Sequence, residues 1–122
     1  MTDKTRNIIT WIVSGLLGVG FVLAGAAKFL QAEAAAESFR HFGLPTGLVP
    51  LIGICEIAGG IGVMVPRLAG FAALGLLLIM LGAVYSHLTH DPFDKAIGAL
   101  VMGAMAGYVM MARGLRLASN GA

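Results

Sequence analysis

The chain has few charged residues and a single cysteine, and each shortage excludes a class of function. Only 11% of its 122 residues are charged, and a net charge of +2 is too small to indicate nucleic-acid binding. Because Cys55 stands alone, the chain can form neither an intramolecular disulfide nor a C-x-x-C pair for thiol–disulfide exchange. The sequence also lacks ligand motifs for haem, flavin or an iron–sulfur cluster. The chain carries no catalytic motif of its own, and this leaves open whether it is an enzyme or a subunit of one.

Apolar residues are abundant instead, and they gather into four long runs. Hydrophobic residues make up 58% of the chain. The runs cover residues 8–27, 48–65, 68–86 and 96–112. Each approaches the roughly 20 residues that a membrane-spanning helix needs, whereas an open sheet would leave backbone groups unsatisfied in lipid. The sequence therefore predicts an all-α integral membrane protein, with residues 1–122 forming one up-down-up-down four-helix bundle.

The distribution of lysine and arginine predicts the orientation of this bundle. On the side of both termini lie five basic residues: Lys4, Arg6, Arg67, Arg113 and Arg116. On the other side lie three: Lys28, Arg40 and Lys95. Since lysine and arginine concentrate in cytoplasmic loops, we expect cytoplasmic termini and a bacterial-type cytoplasmic (inner) membrane location.

The first loop is long enough to hold a short helix of its own, over residues 32–42. Its alanine and phenylalanine residues fall near one face and its charged residues elsewhere, while Gly43 and Pro45 supply stop signals. We expect this helix to lie at the outer interface and to roof the bundle. The second connection is only Pro66-Arg67, which predicts that the helices on either side of it are antiparallel neighbours.

Small residues predict where the helices pack closely. In the second run, one face combines three glycines with a carboxylate and a valine: Gly53, Glu56, Gly59, Gly60 and Val63. In the fourth run Ala99, Gly103 and Gly107 recur at intervals of four, which predicts a tight contact within the bundle or with a second copy. Cys55 lies in an apolar span, where we expect a buried thiol that behaves as a small hydrophobe.

Glu56 is the only charged residue inside the four runs. Counted from Leu48, it lies about 12 Å below the outer end of its helix. A carboxylate at that depth must be protonated, paired or hydrated, and it marks a candidate functional site. Lys28 ends the first run on the same side and can reach either down to Glu56 or up to the interface. We expect the upward position, because lysines at helix ends usually anchor there.

The third run ends on the same outer side with Tyr85, His87, His90 and Asp91. If the helix continues, its spacing places His87, His90 and Asp91 near one face. Imidazoles and a carboxylate at such spacing can share a metal ion. Three histidines spread over two loops lack a closed ligand signature, so we predict no metal and keep these three residues as the alternative ligand set.

Three motifs in order carry a family resemblance. They are Gly25-x-x-Lys28, Glu56-x-x-Gly59-Gly60 and Gly82-Ala83-x-x-x-His87. With them, the chain resembles the DoxX-like family of small four-helix membrane proteins. The family takes its name from a membrane subunit associated with thiosulfate oxidation coupled to quinone, so the resemblance implies a redox-linked role. It also directs attention to Lys28, Glu56 and His87.

Two functional hypotheses follow. In the first, a redox-linked accessory subunit holds a quinone-like or other amphipathic molecule near the outer leaflet of the bilayer. Lys28, Glu56, Tyr85 and His87 would bind it, with Glu56 and His87 handling a proton and quinone as the noncovalent cofactor. In the second, the chain is a noncatalytic assembly or stabilising subunit that binds another membrane protein or a second copy through its glycine stripes. Lys28 and Glu56 then form a structural pair.

Overall fold

The computed structural model describes residues 2–115, and this part of the chain is helical, with no strand. The α-helices in order are α1 (Asp3–Leu30), α2 (Ala32–His41), α3 (Leu48–Gly62), α4 (Ala69–His90) and α5 (Ile97–Arg113). A short 3-10 helix, Phe93–Ala96, leads into α5. Arg116, which was assigned to the side of the termini, lies outside the described residues.

The helices differ from the predicted apolar runs mainly at their ends. α1 begins at Asp3 because the Thr2 side chain accepts a hydrogen bond from the Thr5 amide at 3.1 Å, and Asp3 complements the helix dipole. α4 continues past residue 86 to His90, so His87 belongs to a regular helix. α1, α4 and the segment Phe93–Arg113 are long and apolar enough to cross a membrane, whereas α3 is a shorter apolar helix.

The four long helices of the bundle are α1, α3, α4 and α5, since α2 has only 10 residues. Each of the four contacts two others, because α1 and α4 both pack against α3 and α5. In the α1–α3 contact, the two helix backbones approach each other closely at two glycine pairs. A Cβ added at Gly18 would lie 2.6 Å from the Gly60 carbonyl oxygen, and one at Gly25 would lie 2.5 Å from the Gly53 carbonyl oxygen. Because these pairs advance in opposite directions along the two helices, α1 and α3 are antiparallel.

The α4–α5 contact uses side chains in its middle, whereas at its end a Cβ added at Gly70 would collide with the Gly114 carbonyl oxygen. Gly103 is buried, and a Cβ there would lie 3.4 Å from the Met80 Cβ, which is ordinary packing. Gly107 has open space around it. Gly107 therefore makes no tight contact within the bundle, because the buried face of α5 turns toward Ala106 and Val109. A contact of this stripe with a second copy, the other predicted possibility, stays a prediction. Spacings of three and four alternate on a helical face, so a strict interval of four drifts away from it.

The core lies where all four long helices meet. Its largest fully buried side chains are Phe21, Leu17, Leu76, Val63, Val109 and Ser14. The outer faces are apolar as well, with Leu16 63%, Leu23 64% and Met111 82% exposed. Cys55 is also exposed, so the expectation of a buried thiol is wrong. Successive residues on a helix point about 100° apart, and the inward position belongs to Glu56.

α2 lies across α1 and α3 with the face that the sequence predicts. Its Ala35, Ala36 and Phe39 are half-buried, while Glu33 and Glu37 are exposed. Gly43 ends the turn with a φ of +76°, and the Leu44 amide donates to the Phe39 carbonyl oxygen at 2.8 Å. This left-handed glycine turns the chain back toward α3.

Candidate functional site

Lys28 and Glu56 form a buried ion pair across the α1–α3 contact. The Nζ of Lys28 lies 2.6 Å from the Oε1 of Glu56, and the two side chains are only 19% and 4% exposed. The expected upward position of Lys28 is therefore wrong. Side chains on a helix tilt toward its own N-terminus. On antiparallel helices, Lys28 thus tilts down from above Gly25 while Glu56 tilts up from below Gly53, and their charged ends meet.

The opposite charges of Lys28 and Glu56 offset each other, while the second carboxylate oxygen of Glu56 stays without a partner among residues 2–115. An ammonium next to a carboxylate offsets part of the cost of removing both from water. The Oε2 of Glu56 has no hydrogen-bond partner among residues 2–115, and Glu56 lines a cavity. An occupant of that cavity can therefore approach a carboxylate oxygen whose charge is already neutralised.

This cavity has a volume of about 600 Å³ and lies between α1, α3 and α4, beneath α2. Such a volume falls within the roughly 300–1,000 Å³ of small-molecule sites. Its polar lining comprises Lys28, Glu56, Tyr85, Ser86 and His87. The remaining lining is apolar: Phe39, Phe42, Leu44, Leu48, Ile52, Leu78, Ile79, Met80, Gly82 and Ala83. The cavity thus combines a small polar end with a large apolar wall.

The four side chains that the sequence proposed for ligand binding all line this cavity: Lys28, Glu56, Tyr85 and His87. Tyr85 is 70% exposed, so it stands at the rim. The sequence reasoning named no ligand contact from α2, although Phe39 and Phe42 supply part of the wall. The amphipathic pattern of α2 was the available signal, because a helix with one apolar face must cover something.

A second polar cluster lies beside the cavity, where Asp91 joins two histidines. Its Oδ2 is 2.8 Å from the Nδ1 of His87, and its Oδ1 is 2.7 Å from the Nε2 of His41. The hydrogen bonds from His87 and then from His41 hold the pKa of the Asp91 carboxyl below its usual value, against a smaller opposing effect of burial. Asp91 is therefore an ionised acceptor that links α4 to α2.

The alternative metal ligands do not assemble into a site. His90 lies on α4, where its Nδ1 is 3.1 Å from the Ser86 carbonyl oxygen and 2.8 Å from the Oγ1 of Thr89. In the described part of the chain, no group of three or more His, Cys, Asp or Glu side chains is placed to hold a metal ion. His90 is thus separate from the His87–Asp91 pair.

Aromatic packing fixes the end of α2 over the cavity. The Phe42 ring packs edge-on against His87, with 5.2 Å between ring centroids and an interplanar angle of 87°. The His41 ring lies 5.9 Å from that of His90. Edge-to-face pairs of this kind are favourable. Together with the His41–Asp91 hydrogen bond, they hold α2 against the C-terminal end of α4.

Comparison with known proteins supplies a family but no relative. The model of the DoxX-like family matches residues 12–109, a range that contains the whole cavity lining. No curated protein and no solved structure matches the chain.

Proposed function

Because the chain belongs to the DoxX-like family, we propose that it is an integral membrane protein whose four long helices run up, down, up and down. Three long apolar helices and the apolar outer surface support membrane insertion. At 15 residues, α3 is about 22 Å long, so the bilayer would thin locally around it or α3 would end below the surface. The excess of basic residues near the termini supports cytoplasmic termini in the inner membrane.

Within this setting, the protein binds an amphipathic small molecule near the outer leaflet. The observation that carries this proposal is one cavity that joins a buried Lys28–Glu56 pair to a long apolar wall. Because the two charges cancel, the polar end suits an uncharged head that both donates and accepts hydrogen bonds. A quinone-like head has these properties, since its carbonyl oxygens accept from an ammonium and its reduced hydroxyls donate to a carboxylate.

The polar side chains have distinct roles in this proposal. Glu56 accepts a hydrogen bond or a proton from the head, Lys28 balances its charge, and His87 is the second proton-handling group. Tyr85 contacts the ligand at the rim. The protein is then a redox-linked accessory subunit that holds a quinone, while electron transfer belongs to a partner membrane protein.

The test is binding of a short-chain ubiquinone to the purified chain in phosphatidylcholine nanodiscs, measured by equilibrium dialysis. Gly82 lines the cavity and has no atom within 4 Å of an added Cβ, so Gly82→Phe can place a ring across it. Gly75, on the same helix, is equally open but lies outside the cavity lining, so Gly75→Phe is the matched control. We expect about tenfold weaker binding for Gly82→Phe and little change for Gly75→Phe.

Replacement of the carboxylate gives a second, chemical test of the same site. Glu56→Gln keeps the shape of the side chain and removes its charge and its capacity to take up a proton. We expect weaker quinone binding for this variant too. Binding that is negligible in the wild type, or equal in wild type and Gly82→Phe, would contradict the ligand hypothesis.

A second candidate function is a noncatalytic assembly subunit. It is favoured by an open apolar groove of about 230 Å³ between α4 and α5, lined among others by Leu81, Leu100 and Gly103. In a bilayer, small residues along such a groove allow the close approach of another helix. If Glu56→Gln lowers only the yield of folded protein while Leu100→Trp releases a copurifying membrane protein, this candidate replaces the first.

A further inference from the structure

The Asp91 cluster gives His87 a definite chemical form. A carboxylate can only accept hydrogen bonds, so the Nδ1 of His87 and the Nε2 of His41 are the nitrogens that donate to Asp91. In neutral His87, the proton therefore sits on Nδ1, and Nε2 carries the lone pair. No group in residues 2–115 hydrogen-bonds to this Nε2. Because the His87 ring lines the cavity, Nε2 is the basic atom that an occupant can meet.

Asp91 is the least exposed of the three side chains in this cluster. His87 is 28% exposed, Asp91 18% and His41 52%. Asp91 is thus shielded between the ring that lines the cavity and a ring on the surface of α2. A carboxylate behind an imidazole both fixes its tautomer and stabilises the positive charge that forms when the other nitrogen takes a proton.

The neighbouring charged groups leave this assignment intact. On α1 and α3 the facing groups are Lys28 and Glu56, which pair with each other. On α4, His90 bonds to the backbone and to Thr89. On α2, Arg40 lies 3.8 Å from Glu37. Each of these groups has a partner of its own, so Asp91 remains the group that supports His87.

We infer that His87 accepts a proton from the bound molecule, that Asp91 and His41 are its positioning residues, and that the bound molecule carries an acidic hydroxyl such as a phenol or hydroquinone. The inference rests on the proposed function, because it requires an occupant. In the step itself, the O–H bond of the ligand breaks, its proton bonds to the Nε2 lone pair, and the oxygen keeps the electron pair. Asp91 then faces an imidazolium, and the ammonium of Lys28 lines the same cavity as the new oxyanion.

His41 ties this chemistry to the position of α2. It donates to the second oxygen of Asp91 from the helix that covers the cavity. When α2 lies in place, the carboxylate is held by both imidazoles, and the Phe42 ring packs against His87. The same position of α2 therefore covers the cavity and orients its base, His87. The cover also shields the proton transfer from water.

The test uses 2-naphthol, a lipid-soluble phenol that becomes a much stronger acid when excited and emits as naphtholate once it has transferred its proton to a base or to water. The full chain in phosphatidylcholine nanodiscs is compared with empty nanodiscs at neutral pH. We expect the protein to add a naphtholate band that His87→Gln abolishes. Asp91→Asn should lose most of this band while naphthol stays bound, and Asp91→Glu should recover part of it. His90→Gln, on the same helix but outside the cavity lining, should leave the band unchanged.

The possible results distinguish a failure of the proton-acceptor role of His87 from a failure of the proposed ligand binding. If the protein binds no naphthol or quinone, the proposed function fails and the inference with it. If naphthol binds but emits only as the neutral form, or emits equally in wild type and Asp91→Asn, the inference alone is overturned. A further measurement needs no variant at Asp91: nitrogen NMR of histidine-labelled protein, assigned with His90→Gln and His41→Gln, should show the His87 proton on Nδ1. A proton on Nε2 instead would overturn the assignment.

Discussion

Glycines at two places in the bundle, in the α1–α3 contact and in the middle of the α4–α5 contact, are packed in different ways. In the α1–α3 contact, the backbones approach so closely that a Cβ at Gly25 would lie 2.5 Å from a carbonyl oxygen of α3. In the α4–α5 contact, a Cβ at Gly103 would meet the Met80 side chain at 3.4 Å, and an open groove remains nearby. The first contact brings Lys28 to Glu56, whereas the second brings no charged groups together. Close backbone approach thus accompanies the candidate site, but it is not confined to it, because a Cβ at Gly70 of α4 would collide with the Gly114 carbonyl oxygen at the end of α5. The looser middle of the α4–α5 contact leaves a surface that can accept another helix.

The largest expected effect comes from leaving one charge of the close contact without its partner. Glu56→Leu removes the carboxylate and leaves the Lys28 ammonium with 19% exposure. We expect the free energy of unfolding to fall by about 3–5 kcal/mol. Reversible unfolding in mixed detergent micelles measures this change.

The control for that prediction is the double variant Lys28→Met with Glu56→Leu. Apolar residues of similar volume can replace a buried ion pair at little cost, so most of the lost stability should return. A double variant as unstable as Glu56→Leu would show that the loss comes from packing rather than from an unpaired charge.

The next prediction compares the two contacts directly by adding one methyl group to each. Gly25→Ala drives a Cβ into the Gly53 carbonyl oxygen, and we expect a loss of about 1–3 kcal/mol in the free energy of unfolding. Gly103→Ala adds only an ordinary van der Waals contact on α5, so the free energy of unfolding should stay the same or rise slightly. The same micelle titration measures both variants, and equal losses would refute the distinction between the two contacts.

A smaller effect is expected where α1 meets α5 near the end opposite the cavity. The Oγ1 of Thr10 lies 3.2 Å from the hydroxyl of Tyr108, and the same Oγ1 donates to the Arg6 carbonyl oxygen. Thr10→Val should lower the free energy of unfolding by about 1 kcal/mol. Because Tyr108→Phe removes the same hydrogen bond, the double variant should lose less than the sum of the two single losses. Additive losses would mean that the two hydroxyls do not interact.

The smallest predicted effect is a dependence of stability on acid. The lowered pKa of Asp91 means that the folded protein favours its carboxylate. Its contribution is therefore complete above the ordinary value of 3.8 and is lost as the pH falls through the lower, folded-state value. Wild type should lose this part of its stability in acid, whereas Asp91→Asn should lack it at every pH. Matching acid profiles of thermal unfolding would contradict the role of Asp91.

Most of the fold could be predicted from the order of apolar and polar residues. Hydrophobic runs, glycine and proline placed the helices to within a few residues at most ends. α2 was recognised from its amphipathic face together with Gly43. The errors arose where the direction of a side chain mattered. Cys55 is exposed although it precedes the buried Glu56, and Gly107 leaves the buried face that Gly103 occupies. The rotation of each helix about its own axis is set by its packing against neighbouring helices. The sequence of a single segment carries no information on that packing.

The candidate site divides in the same way. Glu56 stood out by its depth in an apolar run, and His87 and Asp91 share the spacing of one helical face. The link from Asp91 to His41 could not be foreseen, because 50 residues separate them and only the placement of α2 brings them to 2.7 Å. The direction of Lys28 was predicted wrongly. The usual preference of a lysine at a helix end does not take into account the carboxylate of Glu56 on the neighbouring helix α3.

By itself, the sequence determined that this chain is apolar and helical, that it carries one charge deep in a hydrophobic run, and that it resembles the DoxX-like family. These properties depend on composition and on periodicity within single segments. Only the tertiary structure decided that Lys28 turns inward and that Asp91 supports two histidines over one cavity. Both depend on how antiparallel helices tilt their side chains toward each other, and that direction exists only once the helices have packed.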